Sequence, residues 1–257
     1  MNSMIFAAGL GTRLKPLTDT MPKALVPVAG KPLLQHVLDK LQDAEAHQAY
    51  KERFCLLEQP SQDNIVVNVH HFADQIIDYL QGTDVHISDE RNELLETGGG
   101  LKKAAHFFTD HNGEGHPVLI HNVDILSNLN LADLFRNASG YATLVVSERK
   151  TSRYLLFDDD MRLCGWTNID TGEVRSPYGQ IDPTHYRMLA FSGIHVISPR
   201  LFQPMQQWPD RFGIMDFYLS ICSQYNIHGY VPDNLQLMDV GKIDTLDKAV
   251  DFLASIN

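Results

Sequence analysis

The sequence predicts an α/β protein with a Rossmann-like three-layer α/β/α sandwich around a mixed, mostly parallel central sheet. From Met4 to about Leu134, short apolar runs alternate with segments whose apolar residues recur at helical spacing. This is the pattern of parallel strands joined by crossover helices. After Tyr141, strand-like segments follow one another with only turns between them, which predicts antiparallel hairpins in the same sheet. With 257 residues, 44% of them hydrophobic, the chain has enough material for a core, and we expect a single domain, 1–257.

Composition argues against several classes of protein. Lys and Arg total 21 against 32 Asp and Glu, a net charge of −11, which disfavours a broad nucleic-acid or membrane surface but leaves room for a local basic pocket. No apolar run approaches the roughly 20 residues that a membrane helix requires, and residues 1–8 lack the features of a secretory leader. The cysteines at 55, 164 and 222 are scattered and odd in number. They indicate reduced thiols in a cytoplasmic protein rather than a disulfide framework or a zinc site.

The first strand, Met4–Ala8, runs into a glycine loop. Gly9 and Gly11 can take backbone conformations closed to other residues and leave room for a ligand, and successive N–H groups in such a turn can converge on an anion. Thr12 adds a hydroxyl, and Arg13 adds a rigid fork of donors suited to phosphate oxygens. The loop has neither the Gly-Lys-Ser/Thr of a Walker loop nor the third glycine of a dinucleotide fingerprint. Considered alone, it is also compatible with an ordinary turn.

A lysine lies on the next rigid segment. Lys23 is flanked by Pro16, Pro22 and Pro27, each of which restricts the backbone near it. Together with the glycine loop and the arginine, this lysine predicts a cradle for a triphosphate.

The string from Ala7 to Pro27 resembles the signature of the sugar-1-phosphate nucleotidylyltransferases. That signature is Ala-Ala-Gly-x-Gly-Thr-Arg-(Leu/Met)-x-Pro-Leu-Thr followed by Pro-Lys and a further Pro, and every position is filled here. The resemblance implies the nucleotide-diphospho-sugar transferase fold, with a nucleotide-binding half at 1–135 and a sugar-phosphate-binding half at 136–257. It implies an enzyme that joins a nucleoside triphosphate to a sugar 1-phosphate and releases pyrophosphate. In the first motif it implies two catalytic residues, Arg13 and Lys23, and four residues at the nucleotide, Ala8, Gly9, Gly11 and Thr12.

The first crossover helix is predicted from Lys31 to about Ala46, where apolar residues recur at helical spacing. Residues 46–63 that follow are polar and weakly patterned. The resembling family usually passes from helix to strand here within a few residues. We therefore expect this extra segment to be a surface excursion.

The next strand is predicted at Asn64–Val69, and we expect Asn68 to lie around the nucleotide. A helix follows, opened by two adjacent histidines at 70 and 71. Adjacent residues point to different sides of a helix or strand, which argues against a metal site at this pair. A further short strand is predicted at Val85–Ser88.

A run of three glycines introduces the following helix, in the order Glu96-Thr97-Gly98-Gly99-Gly100. Such a run is costly in chain entropy unless another group must approach the backbone closely. That group is either a planar base or the chain itself in a tight turn. In the resembling family this place recognises the nucleotide base, and the Glu-Thr-Gly-Gly-Gly form is most similar to N-acetylmuramate-1-phosphate uridylyltransferases and mannose-1-phosphate guanylyltransferases. We expect Gly98 at the nucleotide and Glu96 at the sugar.

Two aspartates follow predicted strands. Asp124 comes just after the strand Pro117–Asn122, where open α/β sheets bind ligands, although an aspartate there is also a common helix cap. The family has Asn-Gly-Asp or Asn-Ser-Asp at this point, and Val123 replaces the small residue here. The Asp-Val-Gly at 239–241 matches the family's Asp-Val-Gly-Thr, with lysine in place of the threonine. The resemblance implies that Asp124 and Asp239 bind Mg²⁺.

The second half contributes the sugar side of the resemblance. The family carries a Phe-Ser-Gly-Ile segment beside the bound sugar, so we expect Ser192 and Gly193 there, whereas His195 is interpreted as structural. Three aspartates at 158–160 favour a hairpin turn over a metal cluster. The polar stretch Thr171–Tyr186 is expected to flank the pocket. The remaining predicted strands and helices are at Ala142–Val146, Arg153–Phe157, Leu189–Val196, Ile227–Val231 and Leu235–Val240, and at Leu131–Asn137, Ile214–Ser223 and Ile243–Ser255.

The base and the sugar are the least constrained part of the prediction. A glycine turn can offer the donor and acceptor that a pyrimidine imide requires, whereas guanine also demands an acceptor such as Glu96. We favour UTP over GTP, with an N-acetylmuramate- or hexose-type 1-phosphate. The alternatives are a mannose-1-phosphate guanylyltransferase, a CMP-transferring enzyme, and a non-catalytic domain that senses nucleotides or sugar phosphates. No nucleic-acid or membrane partner is expected, and the chain is expected to be a monomer or a small homo-oligomer.

Overall fold

The computed structural model describes residues 1–57 and 64–256, and its central feature is a ten-stranded mixed sheet. The strands are β1 Asn2–Phe6, β2 Pro27–Val28, β3 Lys31–Pro32, β4 Ile65–Val69, β5 His86–Asp89, β6 Val118–Asn122, β7 Ile125–Ser127, β8 Ala142–Ser147, β9 Arg153–Phe157, β10 Leu163–Asn168, β11 Glu173–Arg175, β12 Arg187–Ile197, β13 Ile227–Tyr230 and β14 Leu237–Asp239. The helices are α1 Leu33–Leu41, α2 Ala44–Arg53, α3 Ala73–Tyr79, α4 Glu96–Ala104, α5 Leu131–Asn137, α6 Phe202–Met205, α7 Ile214–Ile221 and α8 Leu246–Ile256. Short 3₁₀ turns lie at Thr12–Leu14, Leu17–Asp19, Lys23–Leu25, Ala105–Phe107, Pro183–His185, Pro199–Leu201 and Ile243–Thr245.

The central strands are parallel and adjacent, in the order β6-β1-β4-β5. Their carboxyl ends therefore meet at one edge of the sheet. Strand β12 runs antiparallel to β6 and also pairs with β8 and β9. Strand β12 therefore joins the parallel strands to the antiparallel strands β9, β10 and β11. The predicted fold class, a mixed sheet with parallel central strands and helices on both faces, is confirmed.

Each face of the sheet has its own hydrophobic core. In β1, Met4 contributes to one core and Ile5 to the other, because successive residues of a strand point to opposite faces. Helices α1, α2, α3 and α5 pack on the Ile5 face. Helices α4 and α7 pack on the Met4 face, where Phe217 and Tyr218 are fully buried. The two cores together enclose the sheet and hold the loops at its carboxyl edge in place.

The expectation of a surface excursion at 46–63 is wrong for its first part. The first helix ends at Leu41, and α2 follows over Ala44–Arg53 and packs against α5. The Asp43 carboxylate caps α2 by accepting hydrogen bonds from the N–H groups of its first turn. The buried residues of α2 are two alanines and Tyr50, whose hydroxyl donates to the Pro117 carbonyl at 2.7 Å. Small side chains give little apolar periodicity, so the pattern did not reveal this helix. Residues 58–63 lie outside the described part of the chain.

Several local predictions of the second half are confirmed. Asp158 begins the turn between β9 and β10, and its N–H donates a hydrogen bond to the Arg162 carbonyl at 3.1 Å. His195 is buried between the rings of Phe191 and Tyr218. Burial lowers the pKa of His195 to about 3, so its ring stays neutral in the core.

Within residues 1–57 and 64–256, none of the helices is both long enough and apolar enough to cross a membrane.

Candidate functional site

A cavity of about 570 Å³ opens at the carboxyl edge of the parallel strands. It lies where open α/β sheets generally bind ligands. Its lining comes from the ends of β1, β4 and β6, the loops after them, and the start of α4. The lining residues are Phe6, Ala7, Ala8, Gly9, Leu10, Gly11, Thr12, Arg13, Lys23, Asn68, Leu94, Glu96, Thr97, Asn122, Val123, Asp124 and Gly241.

The glycine loop is held by contacts that only glycine permits at its second position. Gly11 has φ +63°, and a Cβ there would lie 2.8 Å from the Thr18 methyl group. The Gly11 carbonyl accepts from the Thr18 hydroxyl and from the Leu14 N–H, both at 2.8 Å. At Gly9, by contrast, a Cβ would meet no protein atom within 4 Å. Packing therefore requires glycine at position 11 but not at position 9, where open space faces the cavity.

Asn68 fixes the start of this loop. Its side chain is buried at the end of β4, and its Oδ1 accepts from the N–H groups of Ala7 and Ala8 at 2.7 and 3.3 Å. These two amides come directly after β1 and would otherwise lack a partner in the sheet. Asn68 lines the cavity, and its contact with a nucleotide stays a prediction.

Lys23 and Asp124 form an ion pair across the cavity. Lys23 begins a 3₁₀ turn after Pro22 and is only 8% exposed. Its Nζ donates to Asp124 Oδ2. Asp124 lies in the connection between β6 and β7, which is held to β1 by a hydrogen bond from the Val123 N–H to the Phe6 carbonyl. The ammonium group of Lys23 is thus held by Asp124 within the lining of the cavity.

The second aspartate is brought to the first by a pair of short strands. β14 runs antiparallel to β7 with Asp239 opposite Ile125, and the Val240 N–H donates to the Asp124 carbonyl at 2.8 Å. Asp239 remains exposed at the end of β14, but partial loss of water around its carboxylate, and then the neighbouring charge of Asp124, raise its pKa. Two carboxylates from segments far apart in the chain therefore face one region.

Gly241 lets the arginine reach this region. A Cβ at Gly241 would lie 2.6 Å from Arg13 Nη2 and 2.6 Å from Asp239 Oδ1. Both side chains therefore pass over the bare backbone at this residue. The structure brings the four predicted charged residues near one another: Arg13, Lys23 and Asp124 line the cavity, whereas Asp239 lies outside the lining, beside Gly241, which belongs to it.

The donor set suits a hard divalent cation. Among the residues that the structure describes, no three His, Cys, Asp or Glu side chains converge to form a complete protein cage. Asp124 and Asp239 offer carboxylate oxygens only. Mg²⁺ commonly takes one or two carboxylates and completes its shell with water and substrate phosphates. The residues present fit such an ion.

The glycine run has a different surrounding from the one expected. Gly98 lies within α4, outside the cavity lining, and donates its N–H to the Phe212 carbonyl at 2.9 Å. A Cβ on Gly98 would lie 2.3 Å from the Phe212 ring. The close approach that the sequence suggested for a base is made here by the protein itself. Gly99 similarly faces the Asp210 carbonyl, at 2.0 Å from a hypothetical Cβ.

The predicted sugar-site residues are divided between two locations. Glu96 lines the cavity, takes φ +62°, and accepts a hydrogen bond from Arg211 Nε at 3.1 Å. Ser192 is 2% exposed and outside the lining, and its hydroxyl accepts from the Ile194 N–H. Gly193 has φ +79°, and its Cβ would lie 2.6 Å from Asn122 Nδ2. Gly193 therefore packs closely against Asn122, which does line the cavity, and the sugar contacts expected of Ser192 and Gly193 stay predictions.

The stretch Thr171–Tyr186 does not flank the cavity, because none of its residues is in the lining. Its Arg175 pairs with Asp216 and stacks over the Trp166 ring instead. Conversely, Thr97 and Asn122 belong to the lining without having been assigned a role. The Thr97 hydroxyl accepts from the Ile214 N–H at 3.0 Å and so caps α7. For Asn122, the sequence did contain a signal: it is the last residue of the predicted strand Pro117–Asn122, and open α/β sheets bind ligands at the carboxyl ends of their strands.

Comparison with known proteins agrees with this geometry. The nucleotidyl transferase family model matches residues 2–154. The N-acetylmuramate alpha-1-phosphate uridylyltransferase of Caulobacter vibrioides is 32% identical over 248 residues, covering 91% of this chain and 89% of that protein. A UTP–glucose-1-phosphate uridylyltransferase of Synechocystis is 34% identical over 120 residues, 42% of this chain and 27% of that protein. The crystal structure of HddC from Yersinia pseudotuberculosis has a TM-score of 0.68 at 20% identity, with 98% of this chain and 99% of that one covered.

The chain therefore belongs to the nucleotidyl transferase family. Within that family it is an enzyme of the sugar-1-phosphate nucleotidylyltransferase class.

Two glycine substitutions separate ligand contact from packing. We expect Gly98→Ala to lower the free energy of unfolding by about 1–3 kcal/mol, because its methyl group collides with the Phe212 ring. Gly9→Ala should leave stability nearly unchanged and weaken nucleotide binding by about tenfold, because its methyl group enters the cavity. Urea denaturation and calorimetric titration with UTP measure the two effects. Equal stability loss in both variants would contradict the distinction.

Proposed function

We propose that this chain transfers a uridylyl group from UTP to an N-acetylmuramate- or hexose-type 1-phosphate and releases pyrophosphate. The observation that carries the proposal is the convergence of Arg13, the Lys23–Asp124 pair and Asp239 beside an open glycine loop. Two cations beside a glycine loop that lines the cavity suit a triphosphate in a protein whose net charge is −11. Presence of all four charged residues favours catalysis over a sensing domain.

In the proposed reaction, a phosphate oxygen of the sugar attacks the α-phosphorus of UTP. A new P–O bond forms, and the bond between the α-phosphorus and the bridging oxygen breaks to release pyrophosphate. The attacking phosphate is already ionised at pH 7, so no side-chain nucleophile is required. The protein must hold two anions in line and stabilise the charge that develops on the leaving group.

The cations divide this work by their positions. Lys23, which lines the cavity and is held by Asp124, would contact the α-phosphate and the incoming oxygen. Arg13 lines the cavity beside Gly241, and its fork of donors would bind the leaving phosphates. Asp124 and Asp239 would hold Mg²⁺, which when bound would offset phosphate charge. Loss of water around the Asp239 carboxylate, and then the neighbouring charge of Asp124, raise the pKa of Asp239, and a bound cation would favour the ionised form of both carboxylates.

The choice of base rests on the state of Glu96. Guanine would need a carboxylate acceptor for its N1–H and amino group, and Glu96 does line the cavity. Its Oε1, however, is engaged by Arg211. This competition favours UTP, and both uridylyltransferase relatives described above are named for UTP chemistry or a uridylyl product. GTP with mannose 1-phosphate is the second candidate, since release of Arg211 would free the carboxylate.

A matrix of substrates tests the proposal. Four nucleoside triphosphates are combined with the 1-phosphates of N-acetylmuramate, N-acetylglucosamine, glucose and mannose, and pyrophosphate release is measured with Mg²⁺ present. We expect the highest kcat/KM with UTP and N-acetylmuramate or a hexose 1-phosphate. Preference for GTP and mannose 1-phosphate would replace the proposal by the second candidate, and a CTP preference would indicate cytidylyl transfer. Nucleotide binding without pyrophosphate release from any pair would indicate a sensing domain.

Lys23 is tested by a substitution that keeps its aliphatic stem. Lys23→Met should lower kcat by about a hundredfold, because the lost charge stabilises the transition state more than the ground state. Thermal unfolding should show a folded protein, since the released Asp124 retains access to solvent. Lys31→Met is the matched control, because Lys31 is exposed and pairs with Asp39 on the surface. Near-wild-type turnover in folded Lys23→Met would remove the lysine from the mechanism.

The metal requirement is tested at Asp239. We expect activity to need Mg²⁺ or Mn²⁺ and to be abolished by chelator, with no need for added Zn²⁺. Asp239→Asn should raise the Mg²⁺ concentration for half-maximal rate by about tenfold or more. Asp233→Asn, at an exposed position shortly before β14, should leave it unchanged. If Asp239→Asn kept the wild-type Mg²⁺ dependence, this carboxylate would have only a structural role.

A further inference from the structure

A buried carboxylate lies behind the nucleotide end of the cavity without touching it. Glu90 follows β5 directly, is 1% exposed, and is absent from the cavity lining. Within residues 1–57 and 64–256, no lysine, arginine or histidine forms a salt bridge with it. Burying a carboxylate is costly unless N–H donors replace its water. The burial of the Glu90 carboxylate behind the cavity, outside its lining, therefore needs a physical explanation.

The first donor is the asparagine that fixes the glycine loop. Asn68 Nδ2 donates to Glu90 Oε1 at 2.7 Å, while Asn68 Oδ1 accepts from Ala7 and Ala8. An asparagine amide can turn over and exchange its donor and acceptor ends. An ionised carboxylate only accepts, so Glu90 selects the NH₂ end of Asn68. The oxygen is thereby directed to the two loop amides.

The second donor belongs to the opposite wall of the cavity. Glu90 Oε2 accepts from the Leu95 N–H at 3.3 Å, and the neighbouring Leu94 lines the cavity. The two oxygens of one carboxylate therefore connect the glycine loop to the segment before α4. Burial raises the pKa of Glu90, and the hydrogen bonds from Asn68 and Leu95 act in the opposite direction.

The last glycine of the run makes room for this connection. A Cβ at Gly100 would lie 2.6 Å from Glu90 Oε1 and 3.0 Å from Asn68 Nδ2. Both are polar atoms of buried side chains, which have little freedom to move away. The absence of a side chain at Gly100 thus protects the hydrogen bond between Asn68 and Glu90.

We propose that Glu90 is a positioning residue for the nucleotide, acting through Asn68 and Leu95 to hold the two walls of the nucleotide end in register. The inference rests on the proposed nucleotide site at the glycine loop. It assigns to Glu90 an effect on nucleotide affinity, with little effect on the sugar phosphate or on the chemical step. Loss of the carboxylate lets the Asn68 amide turn and withdraws the shared acceptor from Ala7 and Ala8.

The test compares Glu90→Gln with Glu93→Gln, a matched change at an exposed position of the same segment. Glutamine keeps the shape of Glu90 but offers one acceptor instead of two. We expect the KM for UTP and its calorimetric Kd to rise about tenfold, with the KM for the sugar phosphate and kcat within about twofold. Glu93→Gln should behave as wild type. A fall in melting temperature with unchanged UTP affinity, or a parallel change in every kinetic constant, would overturn the inference.

Two further variants keep the inference testable if Glu90→Gln folds poorly. Gly100→Ala presses on the same hydrogen bond from the other side and should also weaken UTP binding selectively. Asn68→Ala should itself weaken UTP binding, and adding Glu90→Gln to it should cost less than in the wild-type background, because residues acting through one contact are not additive. Full additivity would show that Glu90 does not act through Asn68.

The outcomes also separate this inference from the proposed function. If the wild type turns over UTP but Glu90→Gln keeps the same KM and Kd, only the inference fails. If the wild type binds UTP without reaction and Glu90→Gln weakens that binding, the inference stands and the proposed reaction fails. Absence of any nucleotide binding by the wild type would overturn both.

Discussion

The ion pair between Lys23 and Asp124 joins segments that are 101 residues apart in sequence. Removing two charges from water is costly, and their attraction offsets this cost only when the geometry is well fixed. Here the lysine is held by a 3₁₀ turn after proline, and the aspartate by backbone hydrogen bonds to the β1 end and to Val240. The pair restricts the lysine before any substrate arrives. The glycine loop, the sheet edge and the β7–β14 ribbon all contribute to this one contact.

Around that ion pair, different strands of the sheet contribute different groups to the cavity. The parallel strands β1, β4 and β6 end in backbone amides, an asparagine and an aspartate, which suit phosphate and nucleotide. Strand β12 crosses beside them in the opposite direction, and its bulge at Gly193 sets the position of Asn122. Because β12 runs antiparallel to β6, a residue in the interior of β12, Gly193, packs against Asn122 at the carboxyl end of β6. The glycine loop after β1 forms the neighbouring part of the cavity lining.

The sequence predicted those parts of the site whose reason is local. Strand ends and the turn at Gly11 follow from apolar runs and glycines, whereas Asp124 and Asp239 were identified through the family resemblance, and their approach to each other depends on the long-range pairing of β14 with β7. The sequence did not predict which group lies next to each glycine. A missing side chain leaves space that either a ligand or another part of the protein can fill. Gly9 faces open space, whereas Gly98 faces Phe212, a residue more than a hundred positions away. Helix α2 was missed for a related reason, since alanines bury little area and mark no period.

The β7–β14 ribbon has a consequence for the order in which the enzyme becomes competent. Asp239 and Gly241 are held at the site by the pairing of β14 with residues 125–127, two segments more than a hundred positions apart in sequence. Contacts between such distant segments form late, because the loop that they close must first lose its conformational freedom. The hydrogen bonds from the Ala7 and Ala8 N–H groups to Asn68 are made within residues 7–68, whereas Asp124 gains its hydrogen bond from the Val240 N–H only when the ribbon forms. The wall of the cavity at the glycine loop can therefore take its shape early in folding, and the charged part of the site is completed by one of the last long-range contacts to form.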